Sequence, residues 1–122
     1  MLRTVQDDIF SKIVRTRDNF TCQRCGKVHP PKNAALHCSH YYTRGAWNTR
    51  FDLENAESLC YGCHRYFDGH KSEYKKFKIK RMGRYKFDKL TQRSNKAGKK
   101  KYLRSKEHTK ILRNILKELQ NE

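Results

Sequence analysis

Apolar side chains recur at Val5, Ile9, Ile13 and Val14, with Phe10 beside them, the spacing of one face of a helix. The pattern predicts a helix from about Val5 to Arg17 whose stripe belongs to a core. Asp7 and Asp8 near its start and Arg15 and Arg17 near its end suit the helix dipole, and Asp18-Asn19 breaks it. His29-Pro30-Pro31-Lys32-Asn33 reads as a loop. Ala34 to Tyr42 is short and mostly apolar and predicts an extended strand. Thr43 to Asp52 contains Gly45 and has no strong period, so it predicts a long loop. Leu53 to Ser58 predicts a second short strand or turn with Asn55 inside it. From Cys63 through His64, Arg65, Tyr66, Phe67 and Asp68 a helix begins, which Gly69 ends or kinks. The fold class is therefore α+β, with a ββα unit at its centre.

From Lys71 the pattern stays helical but turns heavily basic, with Tyr74, Phe77 and Ile79 as a weak apolar edge. Met82-Gly83 interrupts it. Ser94 to Lys101 is polar, glycine-containing and cationic, the best flexible segment of the chain. Ile111, Leu112, Ile115, Leu116 and Leu119 then fit an amphipathic helix of about three turns. That helix either packs back on the domain or pairs with a second copy as a homodimer. The first is favoured, because the stripe is too short for a stable coiled coil. The organisation expected is one domain over residues 1–70 and a basic, mainly helical extension over 71–122.

A chain of 122 residues with 35% hydrophobic and 34% charged residues has little apolar interior to build with. A structural metal compensates for that shortage in small domains. The net charge is +17, and residues 71–110 carry 17 Lys or Arg against 3 Asp or Glu. The charge is thus an arm whose natural partner is a polyanion, and DNA, duplex or branched, is expected. Lys75, Lys76, Lys78, Lys80 and Arg81 are the candidate phosphate contacts, with Tyr74, Phe77, Tyr85 and Phe87 available for stacking. No apolar run reaches the roughly 20 residues of a membrane span, so no membrane partner is expected. Five cysteines without a secretory signal point to a reducing, cytoplasmic compartment.

Four of those cysteines form two Cys-x-x-Cys pairs, Cys22 with Cys25 and Cys60 with Cys63. Each pair can sit on a tight knuckle that turns both sulfurs one way, so the four can surround one structural Zn²⁺. Cys38 is the odd one and reads as a small buried hydrophobe. Between and beside the pairs stand His40, Asn55 and His64. Hydrolysing a phosphodiester needs a base for the water and a cation for the departing oxygen, and an imidazole titrates near neutrality. Together RTRDNFTCQRCGK, LHCSHYY and FDLENAESLCYGCH resemble the HNH nuclease family, the ββα-metal fold, in its zinc-knuckle branch of phage and bacterial enzymes. The resemblance covers about residues 9–70. It implies His40 as general base, Asn55 as a residue that steadies the loop orienting this base or assists at the metal, and His64 as ligand of a catalytic divalent metal, Mg²⁺, Mn²⁺ or another. It also implies products with 5′-phosphate and 3′-hydroxyl ends.

One position departs from that family. The residue before the base is commonly Asp or His, a metal ligand, and here it is Ser39. A hydroxyl is a poor ligand for Mg²⁺ or Mn²⁺. Asp68, four residues beyond His64 on one helix face, is the favoured substitute, with Asp52 and His37 behind it. Arg44 and Arg50, on the loop between the strands, and Arg65, beside His64, are candidates for holding the scissile phosphate. Trp47 is expected to pack under that loop rather than wedge against a base. The function expected is a metal-dependent DNA endonuclease, nicking or cutting both strands. The alternative is a non-catalytic zinc-ribbon protein that binds nucleic acid, which Ser39 favours.

Overall fold

The computed structural model describes residues 2–121. Helix α1 spans Val5–Arg17, the bounds its apolar period predicts. Its start is fixed by a reciprocal cap: the Thr4 hydroxyl accepts from the Asp7 N–H, and the Asp7 carboxylate accepts from the Thr4 N–H. Strands β1 (Leu36–His40) and β2 (Ala56–Cys60) pair antiparallel, with Leu36 opposite Cys60 and His40 opposite Ala56. Between them lie a short helix α2 (Trp47–Arg50) and a 3-10 turn at Leu53–Asn55, which Asp52 caps by accepting from the Glu54 N–H. Asn55 therefore sits in the turn, just before the second strand. Helix α3 (Tyr61–Gly69) follows at once, because Cys60 is both the last residue of β2 and the helix N-cap.

The basic segment folds into α4 (Lys71–Met82), α5 (Arg84–Ser94), α6 (Lys100–Leu103) and α7 (Lys106–Gln120). Gly83 separates α4 from α5 with φ +83°, a left-handed conformation that suits glycine. The flexible segment expected over Ser94 to Lys101 narrows to Asn95–Lys99, since α5 runs through Ser94 and α6 starts at Lys100. Gly98 there lies so close to Trp47 that an added Cβ would stand 2.6 Å from the Trp47 Cβ.

Apolar burial falls into two clusters. One joins Ile9, Phe10, Ile13 and Val14 of α1 to Ala56 and Leu112, with Ile115, Leu116 and Leu119 packed on it. The C-terminal helix thus packs back on the domain, along α1. The other joins Cys22, Leu36, Leu59, Cys63 and Phe67 to Tyr74 of α4. Residues beyond 70 therefore contribute to both clusters. Among the described residues no helix is long and apolar enough to cross a membrane.

Candidate zinc centre and histidine cleft

The first knuckle begins where α1 ends. Asn19 and Phe20 take positive φ, and the chain turns back so that the Thr21 and Val28 backbones bridge. Gly26, at φ +81°, closes the turn by donating its N–H to the Cys22 carbonyl. The second knuckle is the β2–α3 junction, where the Cys63 N–H points at the Cys60 sulfur. The sulfurs of Cys22, Cys25, Cys60 and Cys63 all lie within 4.8 Å of one another, and those of Cys25 and Cys60 are 3.8 Å apart. Thiolates about 2.3 Å from a tetrahedral Zn²⁺ stand about 3.8 Å apart, so four sulfurs at this spacing suit one zinc. Burial pushes the Cys22 thiol up, but backbone hydrogen bonds from Cys25, Cys60 and Arg24 outweigh it and bring the group to about 7. Cys38 stands apart, packed against the α1 cluster, with its thiol pushed up to about 12 by burial.

A cleft of about 460 Å³ is lined by His37, Cys38 and His40 of β1, by Asp7 and Arg15 of α1, and by Arg44 and His64. His40 sits against the Phe10 ring and directs Nε2 to the Arg50 carbonyl at 2.9 Å. A carbonyl only accepts, so Nε2 carries the proton and Nδ1 keeps its lone pair. Burial lowers the His40 pKa to about 4, with the Arg50 carbonyl opposing and Arg44 reinforcing the shift. The ring is thus neutral near pH 7. Asn55, fully buried, fixes the loop that supplies the carbonyl: its amide donates to the Thr49 and Tyr42 carbonyls, and its oxygen accepts from the Tyr42 N–H.

On the opposite wall, His64 in the first turn of α3 places Nδ1 2.9 Å from Nδ1 of His37. Burial lowers the His64 pKa as well. Asp68 does share the helix face of His64, but it lies 3.9 Å from the other ring nitrogen, Nε2, and outside the cleft lining. The two nitrogens of an imidazole point apart, so Asp68 is on the wrong side to join His37 around one ion.

Ser39 is turned away from this cleft. Its hydroxyl is 2.8 Å from that of Tyr74, which donates to Glu57 at 2.6 Å; the single phenolic proton is thereby used, and Ser39 is the donor to Tyr74. Lys78 completes the chain, bonding Glu57 at 2.8 Å and the Glu54 carbonyl. Ser39, Glu57, Tyr74 and Lys78 are all buried. Burial and the Glu57 carboxylate hold the Tyr74 phenol protonated.

Several expected DNA contacts are corrected by burial. Arg50 is 0% exposed and bound at both carboxylate oxygens of Asp7, at 3.0 and 2.6 Å, with its guanidinium over the Trp47 ring. It cannot reach a phosphate. Lys78 is likewise spent on Glu57, and Tyr74 and Phe87 are core residues rather than stacking platforms. Arg81 stays exposed, but its guanidinium binds Gln23 and Asp18. Asp52, a lesser candidate ligand, is held by Arg93 at 2.7 Å. Lys75, Lys76, Lys80, Arg65 and Tyr85 remain on the surface. Arg44 keeps its side chain at the cleft, 3.8 Å from Asp7, and its Nη1 is buried without a hydrogen-bond partner. Trp47 packs under the loop as expected, between Arg50 and Lys100.

Sequence reasoning missed Asp7 as the anchor of the loop arginines and underrated His37. Asp7 reads as an ordinary first-turn acid, and strand alternation separates His37 from His40. A Cys-x-x-Cys-His run that forces α3 against β1 was the available signal for His37.

Comparison with protein families matches residues 3–122 to the model of NinG, bacteriophage lambda NinG protein. No curated protein and no solved structure matches the chain.

Proposed function

This chain belongs to the bacteriophage lambda NinG family, and we propose that it acts there as a metal-dependent DNA endonuclease of the HNH type. The observation that carries this reading is the setting of His40: a neutral imidazole whose Nε2 is tied to the Arg50 carbonyl by a loop that Asn55 pins. A purely structural histidine has no need of a dedicated asparagine to present its free nitrogen to a cleft. His40 Nδ1 takes the proton from water as that water attacks phosphorus. The bond from phosphorus to the 3′ oxygen breaks and that oxygen takes a proton from solvent, leaving 5′-phosphate and 3′-hydroxyl ends, as the family resemblance implies. Arg44, whose Nη1 at the same cleft has no hydrogen bond and only a 3.8 Å ion pair to Asp7, holds a non-bridging phosphate oxygen. His64 would hold a divalent metal, which would supply positive charge against the leaving oxygen. The four cysteines would hold Zn²⁺, and a zinc there would fix the β2–α3 junction and with it His64.

Exposed Lys75, Lys76 and Lys80 on α4 and Arg65 on α3 bind the DNA backbone in this reading. The test is nicking of supercoiled plasmid by zinc-loaded protein with Mg²⁺, Mn²⁺ or Ni²⁺. His40→Ala is expected to lose roughly 10²–10⁴-fold of the rate with zinc content and DNA affinity retained. Equal rates for His40→Ala and the parent would remove the base from the mechanism. A parent that nicks nothing under any metal leaves the second reading, a zinc-stabilised binding protein. The withdrawal of Ser39 into the Tyr74–Glu57 network favours that reading, because it takes the usual ligand position out of the cleft.

A further inference from the structure

The pairing of His37 with His64 lies outside both apolar clusters and joins β1 to α3 at the cleft. We propose that His37 and His64 together form the divalent-metal site through their Nδ1 atoms, so that His37 replaces the ligand lost at Ser39, and that the site selects imidazole-seeking ions such as Co²⁺ and Ni²⁺ over Mg²⁺. The catalytic meaning of this site rests on the nuclease reading above; the binding itself does not.

Four observations converge. The two Nδ1 atoms are 2.9 Å apart, while two nitrogens at right angles around an ion, each about 2.1 Å from it, stand about 3.0 Å apart. Both rings are half-buried at the cleft wall, so little rearrangement separates the N–H···N contact from joint ligation. His64 directly follows Cys63, whose sulfur belongs to the four-cysteine cluster, so a zinc there would hold its backbone in place. Finally, the nitrogen of His64 that faces away from His37 faces Asp68, 3.9 Å away. At that distance Asp68 is a nearby exposed charge and not a hydrogen-bond partner; drawn in by a ligating imidazole, it would take an orienting part instead of a ligand's.

The ion preference follows from the donors. Asp7 is the sole carboxylate among the described lining residues, and Arg50 occupies both of its oxygens. Mg²⁺ seeks oxygen ligands in near-octahedral array, whereas imidazole suits nickel, cobalt and zinc.

The test is a titration of the full-length, zinc-loaded chain with Co²⁺, followed by visible absorption, and with Ni²⁺ and Mg²⁺ by calorimetry. Thiolate charge-transfer bands report any cobalt that enters the cysteine site. One additional equivalent of Co²⁺ or Ni²⁺ is expected, with Mg²⁺ bound at least tenfold more weakly. His37→Gln and His64→Gln should each weaken Ni²⁺ binding tenfold or more, and Asp68→Asn by a smaller factor. In the parent, Ni²⁺ should broaden the ring-proton resonances of both His37 and His64, a readout that needs no variant. Ni²⁺ affinity unchanged in His37→Gln, or broadening confined to His64, overturns the assignment of His37. Absence of any second equivalent overturns the site, and equal affinity for Mg²⁺ overturns the selectivity. Plasmid nicking measured beside these titrations judges the nuclease reading separately: nicking that persists in Mg²⁺ without a His37-dependent site sinks this proposal and leaves that reading standing.

Discussion

At His40 the same burial that keeps the imidazole neutral also links it to the stability of the fold. Its folded pKa of about 4 lies below the ordinary value near 6.5. Between those values the unfolded chain takes up a proton that the folded chain refuses. This contribution is therefore complete above pH 6.5 and is lost as the pH falls towards 4. Thermal unfolding of the parent should accordingly decline from pH 7 to pH 5 more steeply than that of His40→Gln, and parallel curves would remove His40 as the cause. The two loop arginines should separate just as clearly. Arg50→Ala leaves the buried Asp7 carboxylate without its ion pair and is expected to cost about 3–5 kcal/mol in urea unfolding. Arg44→Ala, which removes a half-exposed side chain, should leave the midpoint nearly unchanged and lower the nicking rate instead.

Among the elements, α5 does more than carry charge. Arg93 binds Asp52 and Glu54, the Arg93 carbonyl accepts from Asn48, and Thr91 meets the Tyr42 hydroxyl at 2.6 Å. These contacts clamp both ends of the loop that carries the Arg50 carbonyl. Gly98, in the turn after α5, extends the clamp over Trp47. Gly98→Ala places a methyl group against backbone and Cβ atoms that cannot swing aside. It should displace this turn, lower the nicking rate and spare the zinc content; an unchanged rate would show the turn to be irrelevant to the loop. At α7, Leu112 is 3% exposed in the α1 cluster, and Leu112→Ala is expected to cost about 2–5 kcal/mol with an unchanged urea slope. A loss below about 0.5 kcal/mol would mean that α7 is not docked in solution.

For the molecule as a whole, the +17 charge divides into a buried part that builds the fold and an exposed part, which the proposed function assigns to DNA. Replacing Lys75, Lys76 and Lys80 together with Gln should flatten the dependence of log affinity on log salt by about 0.9 for each phosphate no longer neutralised, with zinc content and stability retained. An unchanged slope would place the DNA elsewhere. A zinc held by the four-cysteine cluster would bear on the fold well beyond the knuckles, because Cys22 and Cys63 are core residues as well as candidate ligands. Chelation is therefore expected to unfold the Tyr74 cluster and release α4, seen as lower helical circular dichroism and the disappearance of dispersed aromatic resonances.

Helix α1, the two knuckles, the Gly83 break and the amphipathic C-terminal helix were legible in the sequence, since each depends on local period, spacing or backbone freedom. The family resemblance singled out His40, Asn55 and His64; the two histidines line one cleft, while Asn55 lies behind it and braces the loop. Which cations are free could not be read, because Arg50 and Lys78 differ from their neighbours only in the partners that folding brings to them, Asp7 from 43 residues away and Glu57 from 21. The same holds for Ser39 and His37. A strand gives each side chain a direction, but what waits there is set by the helices packed on it. Local chemistry along the chain therefore determined the elements and the zinc knuckles. Only the tertiary structure, by closing long-range pairs in a dry interior, decided which polar residues hold the fold and which face the cleft.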